Sequence, residues 1–355
     1  MQSDHVHNQF APRLIEWQKR SGRHALPWQG GIQADAYPVW LSEIMLQQTQ
    51  VDTVIPYYQR FLARFPNLAS LAAAQADEVL GLWSGLGYYS RARNLHAAAQ
   101  RIVAEHGGCF PSDIESILAL PGIGRSTAAA IAAFAFNQRR AILDGNVKRV
   151  LARVFGIEGW PGEKGVENRL WTLAEALLPE HDIRAYTQGL MDLGATLCTR
   201  GRPRCENCPF ADDCLANLQG RQRELPTARP KKTLPEKSTA MLVLLNAGEV
   251  LLEKRPNSGI WGGLWSLPEF PEPDDPVTAA HRLGYQAARA GERPGELPAF
   301  NHTFTHFRLF IQPWQLQVLR PHAAAEPGRI WLSLADLEGA ALPTPVRRIL
   351  ADLRR

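Results

Sequence analysis

The chain lacks several features that would assign its class at once. No run approaches the roughly 20 uninterrupted apolar residues that a membrane-spanning helix requires, which excludes a helical membrane protein. The first residues are polar and mixed in charge and do not resemble a secretory signal, so we expect a reducing cytosol, where disulfides are rare. Charge of one sign is also scarce, at +4 over 355 residues, so any nucleic-acid surface must come from local clustering.

Cysteine is scarce as well, but four of the five cysteines are concentrated in one segment. Cys198, Cys205, Cys208 and Cys214 have the spacing C-x6-C-x2-C-x5-C. Four thiolates this close in sequence can reach one centre, and tetrahedral sulfur ligation suits zinc or an iron–sulfur cluster. The spacing alone does not choose between them, because it matches neither of the common ferredoxin patterns. Cys109 lies far from this loop and is interpreted as a small core or surface thiol.

Residue composition and hydrophobic periodicity divide the chain into two regions of different fold class. With 45% hydrophobic residues it is long enough for two or three domains. Residues 1–219 are rich in Ala and Leu with helical periodicity, which predicts an all-α domain with helices at 40–50, 54–64, 76–83, 92–105, 126–136 and 147–155. Residues 220–237 are basic and contain proline, as expected of a linker. Residues 238–355 predict an α+β domain, with strands at 238–245, 250–254 and 307–319 and a helix at 344–353.

Two predicted helices flank the sequence LPGIG at 120–124, followed by RSTAAA. Gly122 and Gly124 allow backbone amides to turn outward together, and the next helix adds the positive end of its dipole. This is the helix-hairpin-helix pattern, and it indicates binding of a DNA phosphate. A tight connection between two helices is the alternative.

A helix-hairpin-helix followed by a four-cysteine loop resembles the endonuclease III superfamily of DNA glycosylases, whose cluster is [4Fe-4S]. The segments WLSEIMLQQTQ (40–50), GLGYYSRAR (85–93) and LDGNVKR (143–149) look like signatures of its adenine DNA glycosylase branch, the MutY family. The motifs cover residues 26–214. The resemblance implies an enzyme of base excision repair that removes adenine mispaired with 8-oxoguanine or guanine in duplex DNA. We expect a monomer without membrane association, located in the cytoplasm at the bacterial nucleoid.

Glu43 and Asp144 are the candidate catalytic carboxylates. Glu43 lies in a strongly apolar helix, where desolvation raises the pKa and lets a carboxylic acid donate a proton to a leaving base. Asp144 precedes a predicted helix, where the dipole and free amides favour the ionised form. A carboxylate at a helix edge and an ordinary N-cap are the respective alternatives. By resemblance, Glu43 protonates adenine and helps activate water, while Asp144 stabilises the oxocarbenium-like sugar or a transient covalent adduct.

Ser126 separates the two kinds of enzyme in this superfamily. Lyase relatives have a lysine at the matching position, whose amine forms a Schiff base with the sugar. The serine here predicts a monofunctional glycosylase that leaves the strand intact. Lys148 could trap an aldehyde weakly, but we interpret it as a phosphate contact or a solvated lysine.

Four further residues match family positions around the extruded base. Gln48 and Tyr88 match residues that wedge into the duplex, Tyr88 beside the lesion, and Trp28 and Gln188 match residues that line the adenine pocket. From the residue types alone, Gln48 reads as a surface side chain, Tyr88 as a packing or capping residue, and Trp28 and Gln188 as core or surface positions.

The C-terminal region resembles the Nudix-like domain of the same family, through LLEKR (251–255), GIWGGLWSLP (259–268) and HTFTHF (302–307). The acidic helix with which Nudix hydrolases hold magnesium is missing, so we expect no hydrolysis here. Phe304, Thr305 and His306 fall on the family loop that recognises 8-oxoguanine, with threonine where serine is usual. Alternating strand residues are the alternative interpretation.

Two other functions remain open from the sequence. A bifunctional lyase of the endonuclease III type is disfavoured by Ser126 and by the second domain. A non-catalytic DNA-binding protein with a zinc-stabilised loop is disfavoured by the pairing of Glu43 with Asp144. A visible absorption band would separate an iron–sulfur cluster from zinc.

Overall fold

A computed structural model describes residues 2–29, 35–230, 233–271, 274–289, 291–320 and 327–353. The helices are Gln2–Ser21 (α1), Ala36–Leu46 (α2), Val51–Arg64 (α3), Leu68–Ala72 (α4), Ala76–Trp83 (α5), Ser90–His106 (α6), Ile114–Ala119 (α7), Arg125–Phe136 (α8), Gly145–Val154 (α9), Lys164–Ala176 (α10), Ile183–Asp192 (α11), Leu215–Leu218 (α12), Pro276–Arg282 (α13) and Thr344–Asp352 (α14). A π-helical turn spans Leu193–Leu197, and 3-10 turns span Cys205–Asn207 and Leu334–Asp336. Among the described helices, none combines the length and apolarity needed to cross a membrane.

The strands, over the same described residues, are Glu236–Asn246 (β1), Glu249–Lys254 (β2), Trp265–Ser266 (β3), Glu269–Phe270 (β4), Gln286–Ala287 (β5), Gly295–Glu296 (β6), Phe300–Thr303 (β7), Arg308–Leu319 (β8) and Arg329–Ser333 (β9). The long strands β1 and β8 pair in parallel, from Glu236 opposite Arg308 to Leu245 opposite Gln317. The other pairings are antiparallel. Strand β2 pairs with β1, β3 and β9, strand β4 pairs with β1, and β5, β6 and β7 pair with β8.

The chain forms two compact units, and the first is helical. It comprises Met1–Ala72 and Ala97–Lys231. Its core includes Phe10 of α1 stacked on Phe210 at 4.5 Å between ring centroids. Helix α8 contributes a run of buried alanines, and these small side chains allow α2 to pack closely against it. This packing fixes the helix that carries Glu43.

The second unit is built on the sheet and comprises Ala73–His96 and Lys232–Arg355. Its core lies between the sheet and α13, with Leu242, Leu251 and Leu316 among its buried residues. Residues 73–96 therefore pack with the sheet although they lie far from it in sequence. Helix α13, with the sequence PVTAAHR, carries no carboxylate.

One predicted helix begins and ends four residues earlier than expected. The sequence predicted a continuous helix over 40–50, but α2 ends at Leu46 and α3 begins at Val51. Gln48, between them, has φ of 60°, in the left-handed region that non-glycine residues seldom adopt. The helix that carries Glu43 therefore stops one turn after it, and the side chain of Gln48 is exposed.

Candidate active site

Glu43 lies on the wall of a cavity of about 350 Å³ in the helical unit. The cavity also includes Trp28 and Gln188, the two residues predicted to line an adenine pocket. Its walls come from α1, α2, the start of α3, α8, α11 and the segment before α2. Its further lining includes Gln18, Arg23, Val39, Leu46, Phe134 and Met191. Three predicted site residues that are distant in sequence thus share one concave site, of the size at which ligand pockets begin.

The electrostatics of Glu43 fit a proton donor. Burial raises the pKa of its carboxyl to about 8, and the nearby negative charge of Asp144 raises it further. The apolar helix α2, capped at its start by Asp35, provides the desolvating surroundings that the sequence predicted. At neutral pH the carboxyl is therefore mostly protonated, as a general acid requires.

Asp144 is the N-cap of α9, as its sequence position indicated. Its Oδ1 accepts a hydrogen bond of 2.8 Å from the backbone N–H of Val147. Burial nevertheless raises the pKa of Asp144, while the amides of Val147 and Asn146 and the charges of Arg149 and Lys148 act in the opposite direction. The expectation that helix position alone would favour the ionised form was therefore incomplete, because it left burial out. Ionised Asp144 depends on these donors and cations.

Gln188 and Trp28 are held in place by neighbouring side chains. The Gln188 amide donates to Oδ1 of Asp192 at 2.8 Å. Asp192 is fully buried and also accepts bonds from the backbone and guanidinium of Arg23, at 2.8 and 2.7 Å. The Trp28 ring meets Tyr58 edge-on at 5.4 Å. The cavity walls are thus largely pre-formed.

The helix-hairpin-helix lies between α7 and α8. Gly122 has φ of 79°, which glycine adopts without strain, and Gly124 is the N-cap of α8 with open space where a side chain would project. The hydroxyl of Ser126 accepts a hydrogen bond of 2.9 Å from the backbone N–H of Leu143, directly before Asp144. The Lys148 ammonium forms a 2.7 Å ion pair with Glu167.

Tyr88 shares with Gln48 an unusual backbone conformation. Its φ is 48°, and 45% of the residue is exposed. Left-handed non-glycine residues carry a conformational cost and are concentrated at functional sites. Both residues predicted to enter the duplex therefore combine exposure with a strained backbone. Gln48 belongs to the helical unit and Tyr88 to the second unit.

The four clustered cysteines line a single small cavity in the helical unit, with Arg153 and Val150 of α9 beside them. Arg153 donates to Sγ of Cys198 at 3.3 Å and to the carbonyl of Thr199 at 2.7 Å. Burial, and the charges of the other cysteines, raise the pKa of Cys208 to about 12. In the described part of the chain, no group of three or more His, Cys, Asp or Glu side chains has an arrangement that could hold a metal ion.

Phe304, Thr305 and His306 lie in the turn between β7 and β8 of the second unit, and not within a strand. The Phe304 ring stacks on Phe307 at 4.5 Å, while Thr305 and His306 are exposed. The turn is closed by a 2.9 Å hydrogen bond from the Phe304 N–H to the Phe307 carbonyl. The polar side chains of Thr305 and His306 are thus exposed to solvent next to the stacked rings of Phe304 and Phe307.

Sequence reasoning missed residues that act through contacts distant in the chain. Asp192 and Arg23 organise the cavity wall, and Trp261 packs on the Phe304 turn at 5.7 Å. No local pattern marks Arg23 or Trp261, and the one signal for Asp192 is a lone carboxylate in an otherwise apolar stretch at the end of α11.

Comparisons with known proteins agree with this arrangement. Residues 41–176 match the family of HhH-GPD superfamily base excision DNA repair proteins, and residues 240–352 match the NUDIX domain. The chain is 37% identical over 349 residues to the adenine DNA glycosylase of Buchnera aphidicola subsp. Acyrthosiphon pisum, with 98% of both chains covered. It is 35% identical over 399 residues to the human adenine DNA glycosylase, covering 96% of this chain and 73% of that protein.

Solved structures give the same fold for the helical part. A thermostable thymine-DNA glycosylase is similar with a TM-score of 0.55 and 27% identity, covering 62% of this chain and 100% of that one. Endonuclease III in a non-covalent DNA complex has a TM-score of 0.51 at 20% identity, covering 61% and 98%, and shares the fold. The helical domain followed by a Nudix-like α+β domain, predicted from the sequence, is confirmed. The chain belongs to the adenine DNA glycosylase family and is a base excision repair enzyme that hydrolyses N-glycosyl bonds in DNA.

Proposed function

We propose that this enzyme excises adenine mispaired with 8-oxoguanine or guanine, by hydrolysis alone, as a monomer acting in the cytoplasm at the nucleoid. The observation that carries the proposal is a carboxyl of pKa about 8, Glu43, on the wall of a cavity shared with Trp28 and Gln188. An adenine inside a duplex is out of reach, so the base must be extruded into this cavity. A protonated acid at its wall is then placed to act on the leaving base.

The proposed reaction divides the work between the two carboxyl groups. Glu43 gives its proton to a ring nitrogen of adenine, and the N-glycosidic bond breaks with its electron pair leaving on the base. The sugar becomes an oxocarbenium-like cation, which ionised Asp144 stabilises. Water attacks the anomeric carbon, and Glu43, now a carboxylate, takes up the proton that this water loses. The product is an abasic site in an unbroken strand.

The DNA contacts follow from the exposed elements. The amides around Gly122 and Gly124, with Ser126 at the start of α8, are suited to one backbone phosphate, and Lys148 adds a cation nearby. Gln48 and Tyr88 are proposed to fill the space that the extruded base leaves. Phe304, Thr305 and His306 are proposed to contact 8-oxoguanine in the opposite strand, through the exposed hydroxyl and imidazole.

The four cysteines, Cys198, Cys205, Cys208 and Cys214, are proposed to hold a [4Fe-4S] cluster. They fit this group because all four line one small cavity, and because Arg153, which donates to Sγ of Cys198, supplies a positive charge that favours thiolate ligands. When bound, the cluster supplies a cross-link that orders the loop. Iron content and a visible absorption band from charge transfer test this assignment, whereas bound zinc without such a band would contradict it.

The proposed activity is tested by single-turnover excision on end-labelled duplexes that contain A·8-oxoguanine, A·G or A·T pairs. Each reaction is analysed with and without alkali. We expect adenine release from the first two duplexes and a broken strand only after alkali. Release from A·T at an equal rate would contradict the mispair specificity, and stoichiometric nicking at neutral pH would instead favour the lyase alternative.

A further inference from the structure

We propose that Arg93 is a positioning residue that links the Tyr88 loop to the Phe304 turn. Through this link, Tyr88 and the Phe304 turn keep a fixed distance and orientation to each other when they contact 8-oxoguanine. The inference rests on the proposed function, since it assigns a role in lesion preference. Its basis is a continuous series of contacts inside the second unit, which contains both probes.

Residues 73–96 are joined to the rest of the second unit at two places apart from Arg93, one on the sheet and one beside α14. At one, Asp77 pairs with Lys254 and accepts a bond of 3.1 Å from the indole N–H of Trp265. At the other, the Ser84 hydroxyl donates to the carbonyl of Leu342 at 3.1 Å and accepts a 3.0 Å bond from Arg347 of α14. The chain before Tyr88 is therefore held at the start of α5, through Asp77, and directly after its end, through Ser84.

The backbone around Tyr88 is held although its side chain is exposed. Gly85 and Gly87 have φ of 105° and 70°, which places two sharp turns before the tyrosine. The buried Arg91 guanidinium donates to the carbonyls of Leu86 and Gly87, both at 3.2 Å, and lies 5.5 Å from the Tyr88 ring. Because the backbone of this loop is held by hydrogen bonds, a force on the Tyr88 side chain is expected to move the loop as a whole.

Arg93 joins this loop to a second turn. Its guanidinium donates to the Gly262 carbonyl at 2.5 Å, and a Cβ on Gly263 would lie 3.7 Å from its Cδ. The Gly262 turn has no slack, because a Cβ there would lie 2.5 Å from the carbonyl oxygen of Asn257. The turn therefore fixes the position of the Gly262 carbonyl. Because Arg93 belongs to α6, its hydrogen bond ties the start of α6 to this turn.

The same turn supports the Phe304 side of the reader. Trp261, one residue before Gly262, is buried and has φ of 56°. Its ring lies 5.7 Å from Phe304 and 6.1 Å from His302, and these two rings lie 4.7 Å from each other. The path thus runs from the Tyr88 loop through Arg93 and the Gly262 turn to Trp261 and Phe304.

The test compares Arg93→Ala with a control on the same helix, Arg101→Ala. Arg101 also donates to a backbone carbonyl, that of Ala119 at 2.8 Å, but it belongs to the helical unit. The quantity measured is the ratio of single-turnover excision rates on A·8-oxoguanine and A·G duplexes. We expect Arg93→Ala to lower this ratio about tenfold, from the loss of one charged hydrogen bond, and Arg101→Ala to leave it unchanged. Arg93→Lys, which keeps the charge and the stem, should restore part of the ratio.

A double-mutant cycle with Phe304→Ala separates coupling from simple destabilisation. If Arg93 acts through the Phe304 turn, Arg93→Ala should have little further effect on the ratio once Phe304 is truncated. Additive effects, or a ratio that Arg93→Ala leaves unchanged while the wild type shows a preference, would overturn the inference alone. A wild type without any preference for 8-oxoguanine would overturn the proposed lesion reading and the inference with it.

Discussion

Replacing Glu43 by glutamine should abolish adenine excision and at the same time stabilise the fold. The amide keeps the size and polarity of the side chain but has no proton to give, so the leaving base is not protonated. Duplex binding should persist, since α2 and the cavity wall keep their shape. The stability gain follows from the raised pKa of the native carboxyl.

The size of the gain depends on pH. The pKa rises from 4.5 to about 8 on folding, and each pH unit of that difference corresponds to about 1.4 kcal/mol. Below pH 4.5 the carboxyl is protonated in both states and the two proteins differ little. As pH rises through this interval the unfolded chain ionises first, so the wild type loses stability, by about 3 kcal/mol at pH 7 and about 5 kcal/mol above pH 8. Glutamine carries no such cost.

Urea unfolding at pH 5, 6, 7 and 8 measures this difference, with the exposed Glu115→Gln as the control. The wild-type excision rate should also fall as pH rises through about 8, because Glu43 then loses its proton. A stability difference that does not change with pH would refute the burial argument. Appreciable turnover by Glu43→Gln would refute its role as the acid.

Four further predictions concern other parts of the molecule. Asp144→Asn should slow single-turnover excision about 100- to 1,000-fold, because the cation loses its counter-charge, and a near-normal rate would reduce Asp144 to an N-cap. With wild-type protein the strand should stay whole without alkali, since Ser126 offers no amine; a neutral-pH gel checks this. Cys208→Ser should lose iron and lower the thermal midpoint, as measured by metal analysis and a melting curve. Replacing both Thr305 and His306 by alanine, which leaves in place the sheet that residues 73–96 pack with, should preserve excision but lower the A·8-oxoguanine to A·G ratio about tenfold, and an unchanged ratio would contradict lesion reading by this turn.

The chemistry of the site could be predicted from local sequence, but its environment could not. The apolar helix around Glu43 indicated a raised pKa, and position before α9 indicated that Asp144 is an N-cap. The pKa of Asp144 was less predictable, because burial arises from elements that no local pattern identifies. The end of α2 was missed for a similar reason: no glycine or proline marks Gln48, which nevertheless has a left-handed conformation.

Contacts across long stretches of chain were the other gap. The hydrogen bonds that Asp192 makes to Gln188 and Arg23 depend on how α11 packs against the start of the chain, which periodicity does not determine. In the same way, the amphipathic pattern of residues 76–83 predicted a helix correctly but gave no indication that it packs with the sheet. Burial and partner choice are properties of the folded chain and not of a segment.

The division of the second unit into 73–96 and 232–355 has a consequence for synthesis of the protein. Ribosomes deliver the chain from its N-terminus at roughly 5–20 residues per second, so residues 73–96 wait on the order of ten seconds before the first strand of their sheet exists. During that interval Leu80, which is buried in the finished protein beside Gly263, lacks this neighbour. Until the rest of the second unit is made, this side chain is either covered by the chain already synthesised or exposed to solvent and chaperones. Synonymous codon changes that slow translation of residues 97–231 would therefore lengthen this interval without altering the amino-acid sequence.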